Sequence, residues 1–178
     1  MRIVAGSARG RVLSAPRGTR TRPTSDKVRA AVFNLLGQFF EGGHVLDLYA
    51  GSGALSLEAL SRGCARALCV EEDRAAAEVI ARNARSCGFS DRVEVRHARV
   101  EDVVPRLPGA KFALAFLDPP YAMGPEEALH LVPPLLEGGG RVVAEHDRRR
   151  PPPERFGPLV ILERRTYGET GISIYRLE

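Results

Sequence analysis

The segment of this sequence with the most distinctive chemistry is Asp118-Pro119-Pro120-Tyr121, which directly follows the apolar run Phe112–Leu117. Two prolines after a strand make the chain rigid and free its carbonyl oxygens as acceptors beside the Asp118 carboxylate. An exocyclic NH₂ group of a nucleobase needs such acceptors, and Tyr121 offers a face on which an extruded base could stack. The segment therefore predicts methyl transfer to a base amine. Whether Asp118 orients the amine or takes its proton is left open.

A second segment predicts where a methyl donor would bind. The apolar strand at Val45–Tyr49 runs into Gly51 and Gly53 and then into a helix, so the backbone there can approach a ligand closely. The dinucleotide fingerprint would place a third glycine three residues after Gly53, where Ser56 stands, which disfavours NAD. Asp47 suits a ligand with an ammonium and a sulfonium better than a pyrophosphate. The pattern therefore favours S-adenosylmethionine.

Glu71 stands at the end of the next predicted strand, where an acid can accept hydrogen bonds from both hydroxyls of a ribose. The alternative is that Glu71, with Glu72 and Asp73 beside it, caps the following helix. Both interpretations stay open on spacing alone.

These groups need a sheet that brings strand ends together. From about residue 43 short apolar runs alternate with helical segments, which predicts a mostly parallel sheet with helices on both faces. The last two strands are joined by only four residues and must form an antiparallel hairpin. The expected strands are 45–49, 67–71, 93–98, 112–118, 141–146, 159–167 and 172–177, and the expected helices are 54–62, 74–87 and 128–136, the last broken near Leu131 by Pro133-Pro134.

Residues 1–40 carry a basic excess of eight cations against one acid. We expect a small hairpin, with Ile3–Ala5 and Arg11–Leu13 flanking Gly6–Gly10, followed by a helix from Lys27 that Gly37 ends. Such a region suits a polyanion, although a solvated arm without a partner would have the same charge.

Length and composition narrow the remaining classes. At 178 residues we expect one domain, with residues 1–40 as an extension of a core at 41–178. Cys64, Cys69 and Cys87 form no CxxC pair, so neither a zinc site nor a disulfide framework is predicted. Without a leader or an apolar stretch of about 18 residues, we expect a cytoplasmic chain without metal or membrane partner, and a monomer.

With these residues in hand, the chain resembles a known family. The glycine segment, Glu71 and Asp118–Tyr121 resemble the DPPY-type class I S-adenosylmethionine methyltransferases, which have a Rossmann-like α/β fold with a seven-stranded sheet. The opening Arg2–Gly6, Arg9–Arg11 and Thr21–Arg29, with the closing Tyr167–Thr170, are similar to RsmD-type bacterial 16S ribosomal RNA guanine-N2 methyltransferases.

The resemblance implies roles for individual residues. Catalysis would fall to Asp118, Pro119, Pro120 and Tyr121. The cofactor site would comprise Thr24, Ser25, Asp47, Tyr49, Ala50, Gly51, Ser52, Gly53, Glu71, Glu72, Ala98, Arg99 and Asp118. RNA contacts would come from Arg2, Arg9, Arg11, Arg20, Arg22, Lys27 and Arg29.

The implied reaction is methylation of a guanine N2 amine in 16S rRNA within an assembling small subunit, with S-adenosylhomocysteine as the second product. Two rivals remain: a DPPY-type adenine-N6 methyltransferase acting on DNA or RNA, and a non-catalytic RNA-binding module. The length leaves little room for the target-recognition domain of large adenine-specific DNA enzymes, and a binding module would leave the Asp118 acceptors without a purpose.

Overall fold

An eight-stranded sheet is the centre of the computed structural model, which describes residues 1–16, 26–107, 109, 111–120 and 123–178. The order across the sheet is β3-β2-β1-β4-β5-β8-β7-β6; the first five strands are parallel and the last three antiparallel. In chain order the strands are β1 (His44–Leu48), β2 (Arg66–Glu71), β3 (Val93–His97), β4 (Phe112–Leu117), β5 (Leu136–Asp147), β6 (Arg155–Phe156), β7 (Leu159–Tyr167) and β8 (Thr170–Leu177).

Helices cover both faces of the sheet. They are α1 (Asp26–Leu36), α2 (Ala54–Ser61), α3 (Arg74–Cys87), α4 (Val100–Val103) and α5 (Glu126–Leu131). Because successive side chains of a strand point to opposite faces, Val45 of β1 joins the cluster under α1, α2 and α3, whereas Leu46 and Leu48 join the cluster under α4 and α5. The α/β class, the mostly parallel sheet and the terminal hairpin predicted from the sequence are confirmed.

Two details differ from the expectation, and a third agrees with it. The sheet has eight strands rather than seven among the described residues, because the two-residue β6 pairs with β7. Strand β5 begins at Leu136 rather than at Arg141, since the glycines before Arg141 continue the strand and Gly140 packs against the Phe112 carbonyl. The last predicted helix ends at Leu131, as its two prolines indicated, and Pro133–Leu135 form a 3₁₀ turn instead.

The N-terminal hairpin is fixed to the side of α2. Arg2 and Val12 form an antiparallel bridge, and Gly6 lies so close to α2 that a Cβ there would overlap the Ser61 carbonyl. The backbone N–H groups of Val4 and Ala5 donate to the Glu58 carboxylate at 2.8 and 3.0 Å. Ser61 Oγ donates to the Ala5 carbonyl at 2.6 Å and accepts from Ala8 N at 2.9 Å.

Glu58 is also the centre of a buried charge cluster that corrects one of the expected RNA contacts. Arg62 Nε lies 2.7 Å and Arg29 Nε 3.5 Å from its carboxylate, and none of the three side chains is more than 3% exposed. Arg29 also pairs with Asp26 and donates to the Arg2 carbonyl. The prediction that Arg29 contacts RNA is wrong, because its guanidinium compensates Glu58 inside the fold.

We predict that Glu58→Ala lowers the free energy of unfolding by roughly 3–5 kcal/mol, because it removes the counter-charge shared by two buried guanidinium groups and leaves Arg29 only its half-exposed pair with Asp26. Urea unfolding followed by circular dichroism measures this. The matched control is Glu78→Ala, whose exposed pair with Arg74 should contribute at most about 1 kcal/mol. Equal losses in the two variants would show that the cluster does not stabilise the fold.

Candidate active site

A cleft of about 260 Å³ opens at the carboxyl ends of the parallel strands, where ligands of open α/β sheets bind. The tips of β1, β2, β4 and β5 and the segment after β3 contribute to it. Part of one wall comes from the N-terminal segment through Met1, Ala15 and Pro16. The expected residues that line it are Asp47, Tyr49, Ala50, Gly51, Ser52, Glu71, Glu72, Ala98, Arg99, Asp118, Pro119 and Pro120.

The glycine turn between β1 and α2 has the backbone that its sequence indicated. Gly51 and Gly53 have φ values of 56° and 75°, a left-handed region that glycine enters without steric cost. Gly53 also packs against Ile80 of α3: a Cβ there would lie 3.0 Å from Ile80 Cγ2, so the Ile80 side chain would have to shift. Tyr49 has φ 68° as well, and such a conformation of a non-glycine residue marks a strained position of the kind that clusters at functional sites.

Glu71 connects this turn to α3. One carboxylate oxygen accepts from Gly51 N at 2.7 Å and the other from Asp73 N at 2.8 Å. Asp73, not Glu71, is the N-cap of α3, since its carboxylate accepts from Ala76 N at 2.7 Å. Each oxygen of Glu71 has a second lone pair, so these bonds leave it able to accept from a ligand hydroxyl.

Asp47 is a buried acid of the cleft whose pKa is strongly raised. Its side chain is 2% exposed, and burial, together with the charges of Asp118 and Glu71, raises its pKa to about 7. Ser56 Oγ donates to Asp47 at 2.7 Å and opposes that shift. In the sequence, Ser56 was notable only because it stands where the dinucleotide fingerprint has a third glycine. In the structure its hydroxyl stabilises the Asp47 carboxylate.

Tyr49 reaches across the cleft. Its hydroxyl lies 3.7 Å from Met123 Sδ, beyond the two prolines, and burial with the neighbouring acids raises its pKa to about 12. The group is therefore a neutral phenol at neutral pH. Met123 was not expected from the sequence, because nothing in its spacing marks it.

Asp118, Pro119 and Pro120 lie beside the glycine turn. Leu117 of β4 pairs in register with Leu48 of β1, so both segments leave the sheet at the same end. Asp118 is half-buried and Pro119 buried, while the Pro120 carbonyl accepts from Met123 N at 2.8 Å. Tyr121, like Thr24, Ser25, Arg20 and Arg22, lies outside the described residues.

The segment after β3 closes the side of the cleft. Ala98 N donates to the Glu71 carbonyl at 3.1 Å, and Arg99 pairs with Glu101 at 3.4 Å. Both Ala98 and Arg99 line the cleft, where the sequence placed the edge of a cofactor site.

Asn83 was missed by the sequence reasoning. Its amide accepts from Ser14 N at 2.9 Å and donates to the carbonyls of Ser14 and Ser52 at 3.0 and 2.9 Å. It therefore joins the N-terminal segment, just before Ala15, to the glycine turn. The signal available was a polar residue on the buried face of α3, which needs partners there.

The other expected RNA contacts that the structure describes are at the surface of the N-terminal region. Arg2, Arg9, Arg11 and Lys27 are exposed, and the hairpin that carries the three arginines continues into the cleft wall at Ala15. The three cysteines are buried, and within the described parts of the chain no three His, Cys, Asp or Glu side chains could hold a metal ion. None of the helices described is both long and apolar enough to cross a membrane.

Comparison with known proteins gives relatives over the full length. The family model described as Conserved hypothetical protein 95 matches residues 1–176. YlbH of Bacillus subtilis is 40% identical over 181 residues, covering 99% of this chain and 98% of that protein. Ribosomal RNA small subunit methyltransferase D of Escherichia coli strain K12 is 36% identical over 146 residues, covering 82% of this chain and 71% of its own.

A solved structure agrees with these sequence matches. The Escherichia coli protein yhhF superimposes with a TM-score of 0.85 at 30% identity, over 100% of this chain and 98% of its own. The similarity thus covers both the N-terminal region and the sheet with its cleft. On the family model and these relatives together, the chain belongs to the RsmD-type methyltransferase family.

Proposed function

We propose that the chain is an S-adenosylmethionine-dependent methyltransferase that modifies the exocyclic N2 amine of a guanine in 16S ribosomal RNA. The observation that supports this most directly is the meeting, in one cleft, of the glycine turn with its acids and the Asp118-Pro119-Pro120 corner. A relative at 36% identity carries the name of a small-subunit ribosomal RNA methyltransferase.

The charges of the cleft fit the cofactor. S-adenosylmethionine carries a sulfonium and an ammonium, and Asp47, Glu71 and Asp118 form a patch of three interacting carboxyl groups. Glu71 is placed at the tip of β2 for the ribose, and Ala98 and Arg99 border the adenine side. When bound, the cofactor supplies the methyl group.

The protein's own task is to present the amine. Asp118 and the carbonyl of Pro119 act as acceptors for the two amine hydrogens, which fixes the direction of the nitrogen lone pair. No strong base is needed, because the amine nitrogen becomes acidic only after it has gained the methyl group. The neutral phenol of Tyr49 covers the junction between the two halves of the cleft without adding charge.

The exposed arginines of the N-terminal hairpin serve the RNA. Arg2, Arg9 and Arg11 project from a hairpin that Glu58 and Ser61 hold against α2, so the backbone that presents these cations has a fixed position on the fold. Phosphate contacts of this kind position a nucleic acid and carry no sequence information.

We predict that Asp118→Ala lowers turnover at least about a hundredfold, because the amine loses its orientation, while cofactor affinity stays within a few-fold. Mass analysis of nucleosides after incubation with naked 16S rRNA, small subunits and DNA measures methylation and its product, and calorimetry measures binding. Asp91→Ala, at an exposed site away from the cleft, is the control. Retained turnover would remove Asp118 from the mechanism, and N6-methyladenosine as product would favour the adenine enzyme.

Cofactor binding should depend on pH through Asp47. Free Asp47 is protonated below its pKa of about 7, and a cationic ligand favours the carboxylate, so binding releases a proton and affinity rises as the pH increases towards 7. Calorimetry with S-adenosylmethionine between about pH 5.5 and 8, in two buffers of different ionisation enthalpy, measures the protons released. Asp47→Asn should remove the dependence, and an unchanged profile in that variant would exclude Asp47 as its source.

Replacing Arg9 and Arg11 together by alanine should flatten the salt dependence of RNA binding. Each lost phosphate contact reduces the slope of log affinity against log salt by about 0.7–0.9. The control pair is Arg155 and Arg165, which are exposed on strands at the far edge of the sheet. Equal slopes for the wild type and the Arg9/Arg11 variant would show that the hairpin is a solvated arm that does not contact the RNA.

A further inference from the structure

Glu145, at the tip of β5, is an acidic residue of the cleft that the function described so far does not use. Leu117 of β4 pairs in register with Ala144 of β5, so Asp118 and Glu145 are the next residues on two neighbouring parallel strands. Strands in a sheet lie about 4.8 Å apart, and registered residues point to the same face. Both residues line the large cleft, and both line a small cavity beside it with Pro119.

The position of Glu145 is set by a rigid framework. On the other side of β5 it pairs with Ile172 of β8, within an antiparallel ladder that runs from Arg141 to Asp147. The next residue, His146, is buried and bonds to Ser173 at 2.9 Å, and Gly171 packs so closely on its ring that no side chain would fit there. A side chain at the end of such a strand is held more accurately than one on a loop.

A carboxylate at the position of Glu145 can distinguish between the bases by their hydrogen-bonding groups. Next to its exocyclic amine, guanine has a ring N1–H donor, whereas adenine and cytosine have a ring nitrogen with a lone pair. A carboxylate can only accept hydrogen bonds. Placed beside a corner that already holds the amine, it would pair with guanine N1–H but would face an acceptor in adenine or cytosine, leaving buried groups unpaired.

We propose that Glu145 is a specificity-determining residue that accepts the N1–H of the target guanine while Asp118 and Pro119 hold its amine. The inference rests on the proposed function and supplies what that function lacks, since the acceptors at Asp118 suit the amine of any base. Sites built around a hydrogen bond reject analogues that lack the donor far more strongly than apolar pockets reject a change of size.

The test changes one hydrogen-bonding group of the base, at N1, and one of the protein, at residue 145. The guanosine that the wild type methylates is first identified by mass analysis of 16S rRNA from treated small subunits. Subunits are then reconstituted with guanosine or 2-aminopurine riboside at that position. 2-Aminopurine keeps the exocyclic amine but has an acceptor at N1, so the wild type should prefer guanosine by on the order of a hundredfold in kcat/KM.

In Glu145→Gln the amide can turn its NH₂ group towards an N1 acceptor. The amide oxygen can still accept from guanine N1–H, so we expect kcat/KM for guanosine to stay within about tenfold of the wild type while kcat/KM for 2-aminopurine rises, which shrinks the preference to within a few-fold. Binding of S-adenosylhomocysteine and thermal unfolding should match the wild type, which separates a selectivity effect from misfolding. Glu137→Gln, at an exposed site near the start of the same strand, is the matched control and should keep the wild-type preference.

Two results would contradict the proposal in distinguishable ways. If N2-methylguanosine is the product but Glu145→Gln discriminates against 2-aminopurine as strongly as the wild type does, the role of Glu145 is wrong and the proposed function stands. If the wild type makes N6-methyladenosine or no methylated nucleoside, the proposed function fails and the proposal fails with it.

Discussion

The constraint on which the site depends is the crowding of carboxyl groups at one end of the sheet. Burial raises the pKa of Asp47 to about 7, and the neighbouring charges of Asp118 and Glu71 add to that shift. Hydrogen bonds to Asp47 from Ser56 and to Glu71 from Gly51 N offset part of that repulsion. The repulsion that remains favours a cationic ligand. It follows from the strand order, which brings these carboxyl groups to the same end of the sheet.

The same end of the sheet depends on the N-terminal segment. Ile3 and Leu13 belong to the hydrophobic cluster that contains α2 and β1, and Asn83 bonds to both Ser14 and the glycine turn. The basic hairpin is therefore continuous with the cleft wall. A shift of the hairpin on α2 would move Ala15 and Pro16, so the surface that carries the exposed cations and the cleft share one support.

How much of this could be read from the sequence follows from how local each determinant is. The bounds of α3 were predicted correctly, because Asp73 and Gly88 end it through contacts within a few residues. The meeting of Gly51 with Asp118 was predictable too, since parallel strands place their carboxyl ends together. Asn83 and Glu145 were not predicted, because their importance depends on partners about 30 to 70 residues away and on strand register.

Arg29 shows why a count of charges cannot assign a surface. In the sequence it is one of eight cations in a region with a single acid, Asp26, yet besides Asp26 it pairs with Glu58, which lies 29 residues later and inside the fold. A buried acid such as Glu58 needs a cation close by in space. The residues next to it in the sequence do not show which cation that will be. Once Arg29 is assigned to the interior, the exposed cations of the described N-terminal region are few: Arg2, Arg9, Arg11 and Lys27. Three of these lie on the hairpin that Glu58 fixes, so the acid that keeps Arg29 in the interior also holds the backbone that presents the others.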